Sequence, residues 1–176
     1  MSEPVTANIP QINLDDYVIT QYIGCGSFSI VCKAFDKKTK KEVAIKVYTY
    51  GTKDWNSIVR KINESCCGVS GLVKKIGYRY QSTEEINNSE IDKFQIPGYD
   101  HPIDFIGLII VMDYYKINDL CSLMKDYIES NGKKHEIINP TVRSKIIFGI
   151  SSIMKQLHEK NIIYRDLKLE NIFLTD

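Results

Sequence analysis

The amino-acid sequence predicts an α+β fold in which a β-rich lobe precedes a helical one, and two patterns along the chain carry that expectation. Up to about residue 115, short runs of β-branched and aromatic residues alternate with polar ones, as half-buried strands do; from about residue 116 apolar positions recur at intervals of three and four, as on helices. A third observation sets the scale. The 176 residues are 43% apolar and 26% charged, a globular composition long enough for one sizeable domain or two small lobes.

Residues 1–16 are polar and carry Pro4 and Pro10, so a flexible leader is expected. "YVITQYIG", "SIVCKAFD" and "EVAIKVYTY" then read as three antiparallel strands, the last two joined by the charged turn "KKTKK". From Lys53 the period changes: Ile58, Val59, Ile62 and Cys66 fall on one helical stripe, which Gly68 would stop. A strand is expected near Ile76 to Tyr80, and residues 81–101, polar and acidic with Pro97 and Gly98, read as an inserted surface loop. "FIGLIIVMDYY" has the length and branching of a buried strand. Leu120, Leu123, Met124, Tyr127 and Ile128 mark one helix; Asn139 and Pro140, a cap and first-turn pair, open another that carries Ile146, Ile150, Ile153, Met154 and Leu157.

Charge narrows the function classes. Lys plus Arg (23) nearly cancels Asp plus Glu (22), so no global field favours nucleic acid or an anionic membrane. No basic segment followed by an apolar run opens the chain, and "FIGLIIVM" is too short to span a bilayer, so a cytoplasmic protein is expected. Five cysteines, at 25, 32, 66, 67 and 121, lack the spacings and nearby histidines of a zinc site and read as reduced thiols.

Chemistry concentrates in three places. "GCGSFSIV" at 24–31 is a glycine turn between strands, where Gly24 and Gly26 would let the backbone adopt φ > 0 and approach phosphate oxygens. The strand that follows, rather than a helix, argues against a dinucleotide-binding unit. "VAIK" ends in Lys46, either an edge lysine that snorkels or a point charge aimed at phosphates, with Glu64 the nearest candidate partner. In "YRDLKLEN", Asp166 could accept a hydroxyl proton, Lys168 could steady a phosphoryl group and Asn171 could offer an amide oxygen to a metal.

In that order these motifs resemble the signature set of the eukaryotic protein kinases, from about Tyr17 to Asp176. The resemblance implies a complete β-rich N-lobe with one helix, about 17–115, and the first part of a helical C-lobe, about 116–176. It also implies ATP, Mg2+ and a protein substrate. Gly24, Gly26 and Val31 would cover the nucleotide, Ala44 would pack on adenine, and Lys46 would contact the α- and β-phosphates while paired with Glu64. Met112 would be the gatekeeper, the backbone of Asp113 and Tyr115 would bond the adenine edge, Asp119 would take the ribose and Phe173 would lie below the adenine. Asp166 resembles the catalytic base, Asn171 the magnesium ligand, and Lys168 the serine/threonine pattern.

The sequence departs from the family at Ser29, in place of a third glycine, at Tyr164, in place of a histidine, and at Gly68, where a bulky apolar residue is usual. It also ends before a DFG motif. The expectation is therefore a fragment of a serine/threonine kinase that does not catalyse alone; the alternative is a non-catalytic, pseudokinase-like module binding nucleotide or a partner.

Overall fold

The computed structural model describes residues 9–26, 29–48, 62–63, 68–81, 93–94, 96–97, 103–104, 107–116, 119–131 and 139–174. The chain divides into two compact units. The first comprises Met1–Cys67 with Val73–Tyr114, and the second Gly68–Leu72 with Tyr115–Asp176.

The first unit is built on a five-stranded antiparallel sheet. Its strands are β1 (Tyr17–Gly26), β2 (Ser29–Asp36), β3 (Lys41–Tyr48), β4 (Lys75–Gln81) and, after the short paired strands β5 (Lys93–Phe94) and β6 (Ile103–Asp104), β7 (Gly107–Asp113). The order across the sheet is β1-β2-β3-β7-β4. The β2–β3 turn closes on Asp36, whose carboxylate accepts from the Lys38 and Thr39 amides at 2.8 and 3.1 Å and from Thr39 Oγ1 at 2.7 Å. Burial by itself would raise the pKa of Asp36; these donors outweigh it and hold the carboxyl below its ordinary value.

Alternation along the strands gives the sheet two apolar faces. Ile30, Cys32, Ala34, Val43, Ile45, Val47, Ile109 and Val111 form one cluster with Leu14 and Ile96. Tyr78, Leu108 and Ile110 form the other with Ile62, which together with Asn63 is helical. Of the helical stripe expected from Lys53, only Ile62 lies among the described residues.

The first face owes its cover to two segments that the sequence assigns to solvent. Residues 9–16 are a docked strap rather than a loose leader. Gln11 bridges Tyr78 in parallel, the Ile12 amide donates to the Tyr78 carbonyl at 2.9 Å, and the Tyr78 amide donates to the Pro10 carbonyl at 3.0 Å. Leu14, in a 3-10 turn capped by Asn13, is 4% exposed. Gly77 makes the seat: a Cβ there would collide with Ile12 Cγ2 and stand 2.9 Å from the Pro10 carbonyl oxygen. Within the 81–101 stretch, expected as surface loop, Ile96 is 1% exposed and the Pro97 carbonyl accepts from the Tyr22 amide at 3.2 Å. The polar neighbours of both segments hide single apolar anchors.

In the second unit, α1 (Leu120–Glu129) buries Leu120 and Leu123, and α2 (Pro140–Glu159) buries Leu157. Asn139 caps α2 by accepting from the Val142 amide at 3.0 Å, with Pro140 in the first turn where its missing N–H costs nothing. At the other end Asn161 takes φ 57, and the Ile162 and Asn161 amides reach back to Leu157 and His158, the paired bonds of a Schellman stop. Gly68 has φ 70, as a helix stop requires, and Gly71 lies against Ile153 of α2. On α2 the expected stripe residues Ile146, Ile150, Ile153 and Met154 are half-buried, whereas Ile147 and Phe148 are 65% and 76% exposed. Among the described residues, no helix is long and apolar enough to cross a membrane.

Candidate active site

The sequence-derived site residues fall on both units. On the sheet, residues of even number in β3 point away from the Leu14 cluster, and cross-strand pairing lines up the rest. Val31 stands opposite Lys46, Lys46 opposite Ile110, Ala44 opposite Met112 and Lys33 opposite Ala44. Directly opposed side chains in antiparallel strands lie about 4.5–5.5 Å apart at Cβ. Val31, Ala44, Lys46 and Met112 therefore form one patch, with a lysine at one end and apolar carbons at the other. That combination suits a ligand with a flat apolar ring and an anionic tail.

Lys46 extends over Tyr48, its Nζ 5.1 Å from the ring centroid. Burial raises the Tyr48 phenol above its ordinary pKa, so the ring is a neutral π-face for the ammonium at any physiological pH. Glu64 lies outside the described residues. Met112 Sδ faces Lys75 Nζ at 3.8 Å. The Asp113 amide is committed to the Lys74 carbonyl at 3.0 Å, so a bond from Asp113 to a ligand edge must use its carbonyl.

The glycine turn departs from expectation in its dihedrals. Gly24 and Gly26 are not among the glycines with positive φ. Both belong to β1, where pairing of Gly24 with Val31 and Gly26 with Ser29 keeps the backbone extended. A Cβ on Gly24 would meet nothing within 4 Å, so packing within the sheet does not itself demand glycine there. Ser27 and Phe28, at the tip, lie outside the described residues.

On the helical unit, Asp166 is bracketed. Asn171 Nδ2 donates to Asp166 Oδ2 and to the Asp166 carbonyl, both at 2.8 Å, and Lys168 Nζ stands 3.3 Å from Asp166 Oδ1. With its amide nitrogen so engaged, Asn171 keeps Oδ1 as its remaining side-chain acceptor. Asp166 is 65% exposed at its side chain, open to an incoming hydroxyl. Arg165, just before it, takes φ 64, a conformation costly to a non-glycine residue that sequence pattern does not reveal. Tyr164 is half-buried; burial first, then the Asp166 charge, raises its pKa.

This loop is anchored to the start of α1. The Leu120 amide donates to the Ile172 carbonyl at 2.8 Å, Asp119 bridges Phe173, and the Phe173 ring stacks on Tyr115 with centroids 6.1 Å apart. Asp119 has a structural duty the sequence reading omitted. It caps α1, accepting from the Ser122 amide and Ser122 Oγ, each at 2.9 Å. An aspartate immediately ahead of an apolar run spaced by threes and fours is the available signal. Each carboxylate oxygen keeps a lone pair, so the cap leaves acceptor capacity for a ligand hydroxyl.

Among the described residues no cluster of His, Cys, Asp and Glu could hold a metal ion unaided. Asn171 Oδ1 is a hard oxygen donor, the kind Mg2+ takes alongside substrate phosphates, so it fits as one protein ligand of a site completed by phosphate oxygens.

Residues 17–176 match the family model described as the protein kinase domain. The chain is 25% identical over 195 residues to the serine/threonine-protein kinase VHS1 of Saccharomyces cerevisiae, covering 92% of this chain and 40% of that protein. Identity is 28% over 182 residues to serine/threonine-protein kinase 33 of Mus musculus, with 98% and 31% covered. It is 28% over 170 residues to the mouse serine/threonine-protein kinase tousled-like 2, with 95% and 20% covered. The chain thus spans well under half the length of these relatives.

Proposed function

Because the chain belongs to the protein kinase family, we propose that its two residue sets serve transfer of the γ-phosphate of ATP to serine or threonine hydroxyls of a protein substrate. The observation that carries this reading is the bracketed Asp166, with Asn171 on one carboxylate oxygen and Lys168 by the other. A module that only binds nucleotide has no need of an exposed carboxylate fixed beside a cation.

In this reading the substrate hydroxyl oxygen forms a bond to the γ-phosphorus while the bond to the β–γ bridging oxygen breaks. Asp166 accepts the hydroxyl proton, and ADP departs. The Asn171 contacts fix the orientation of Asp166, and Lys168 offsets charge on the transferred group. On the sheet, Lys46 holds the α- and β-phosphates, Val31, Ala44 and Met112 face the adenine, and the Asp113 carbonyl and Tyr115 backbone meet its edge. By the family resemblance, Phe173 would serve the adenine and Asp119 would accept from a ribose hydroxyl. Asn171 Oδ1 would hold Mg2+, which when bound neutralises phosphate charge. A cytoplasmic location goes with this reading and is open to cell fractionation.

Phosphate transfer from γ-labelled ATP to serine/threonine and tyrosine peptide libraries tests it. The comparison is between residues 1–176 and a longer polypeptide that carries a DFG motif. We expect labelling of the serine/threonine library by the longer form, lost in Asp166→Asn. The 176 residues alone should bind a fluorescent ATP analogue through Lys46 without transfer. Nucleotide binding unaffected by Lys46→Met, together with no transfer by either form, would favour the partner-binding module instead.

A further inference from the structure

A charged cluster on the nucleotide-facing side of the sheet is left unused by this mechanism. Lys33 Nζ, on β2, lies 2.6 Å from Glu42 Oε1 on β3 and 4.9 Å from the centroid of the Tyr114 ring. Tyr114 follows β7 directly and is the last residue of the sheet unit; with Tyr115 the chain passes into the helical one. Register puts the cluster beside the patch described above, because Lys33 stands opposite Ala44, which in turn stands opposite Met112.

Solvent-exposed ion pairs contribute little. This one differs in its surroundings: the Lys33 side chain is only 19% exposed and has an acid on one side and an aromatic face on the other. The bond to Glu42 raises the Lys33 pKa, so the ammonium stays charged. Tyr114 belongs to neither apolar cluster of the sheet. A lysine on β2 held by an acid on β3 is thus the fixed point against which the ring behind β7 rests.

We propose that Lys33, Glu42 and Tyr114 form a latch that positions the backbone of Asp113–Tyr115 for hydrogen bonding to the nucleobase, making Lys33 and Glu42 positioning residues for nucleotide binding. The proposal rests on the kinase reading given above. It predicts that the charge and the ring matter, whereas the Tyr114 hydroxyl does not.

The test uses the 176-residue chain in variants chosen for what they keep. Lys33→Met keeps the stem and removes the charge, Glu42→Gln removes the acid, and Tyr114→Leu removes the ring; Lys33→Arg and Tyr114→Phe keep the contact. Two readouts are taken: amide hydrogen exchange across residues 113–116 without nucleotide, and the Kd for a fluorescent ATP analogue. We expect the first three variants to exchange faster at 113–116 and to bind roughly two- to five-fold more weakly, the range of an exposed cation–π contact. Lys33→Arg and Tyr114→Phe should match the wild type in both. Unchanged exchange at 113–116 in Lys33→Met and Glu42→Gln overturns the latch, as does a Lys33→Arg variant no better than Lys33→Met. Should Lys33→Met fail to fold, Glu42→Gln with 53% exposure at the replaced side chain decides alone. Failure of the kinase reading looks different: the wild type binds no nucleotide, or Lys46→Met binds as tightly. The positioning role then falls, while exchange at 113–116 still decides the latch itself.

Discussion

Replacing Gly77 with alanine tests the seat of the amino-terminal strap in one methyl group. The backbone of Gly77 lies outside the left-handed region, so the substitution carries no dihedral penalty, and its effect on the folded state comes from the new Cβ. That atom would collide with Ile12 Cγ2 and press on the Pro10 carbonyl, which holds the Tyr78 amide. Overfilling a packed site costs about 1–3 kcal/mol. Alanine also restricts the unfolded chain, which returns ~0.4–1 kcal/mol where the site tolerates it. A net loss of about 1–2 kcal/mol follows, or roughly 2–8 °C in Tm for a chain of this size. Gly24→Ala is the control: its Cβ would meet nothing within 4 Å, so stability should hold or rise slightly. The decisive measurement is a double-mutant cycle by urea denaturation. In an Ile12→Ala background the colliding Cγ2 is absent, and the cost of Gly77→Ala should shrink. An unchanged midpoint for Gly77→Ala, or the same loss in both backgrounds, would refute the strap's seating on β4.

Thiol labelling should separate the described cysteines by access. Cys25 is exposed, Cys121 partly so, and Cys32 is buried, with burial pushing its thiol up to about 11. Brief alkylation near neutral pH followed by peptide mapping should mark Cys25 first and Cys32 only on unfolding; early Cys32 labelling would contradict the β2 register. The same burial predicts alkaline weakening. Cys32, Tyr17 and Tyr48 all titrate higher when folded, so above their ordinary pKa values the unfolded chain binds fewer protons and stability falls as pH rises. Urea midpoints should decline between about pH 9 and 11, and a flat profile would count against it. Finally, Asp119→Ala should cost ~1 kcal/mol through the lost α1 cap, whereas Asp119→Asn should keep most of it; equal losses would point away from capping.

Legibility followed the strength of local pattern. β1, β2, β3 and β7 alternate or run apolar without interruption, and Asn139-Pro140 announces α2 by chemistry that needs no tertiary context. The family motifs were equally plain, because "VAIK" and "YRDLKLEN" keep their order and spacing. What escaped were features whose cause lies elsewhere in the chain. Leu14 and Ile96 are lone apolar residues among polar ones, and nothing near them says which face they will cover. Gly77 reads as a weak point in a strand until Ile12 is seen against it. Gly24 and Gly26 suggested positive φ, yet pairing with β2 extends them. Arg165 shows the limit most clearly: its left-handed backbone is imposed by the loop around it, and no arginine advertises that.

The outer cover of the sheet also bears on how the polypeptide can acquire its structure during synthesis. Gln11 meets a residue 67 positions later, and Tyr22 waits for Pro97. Ribosomes add about 5–20 residues per second, so once β3 has emerged, the face formed by Ile30, Cys32, Val43, Ile45 and Val47 would stay uncovered for roughly 2–10 s before Ile96 is made. Leu14 is available from the outset, but its strap cannot bond to β4 until Tyr78 arrives. A nascent chain in that interval presents an apolar sheet with an open edge, the form most prone to stray pairing and most suited to a holdase. Pairings this distant also slow folding of the finished chain.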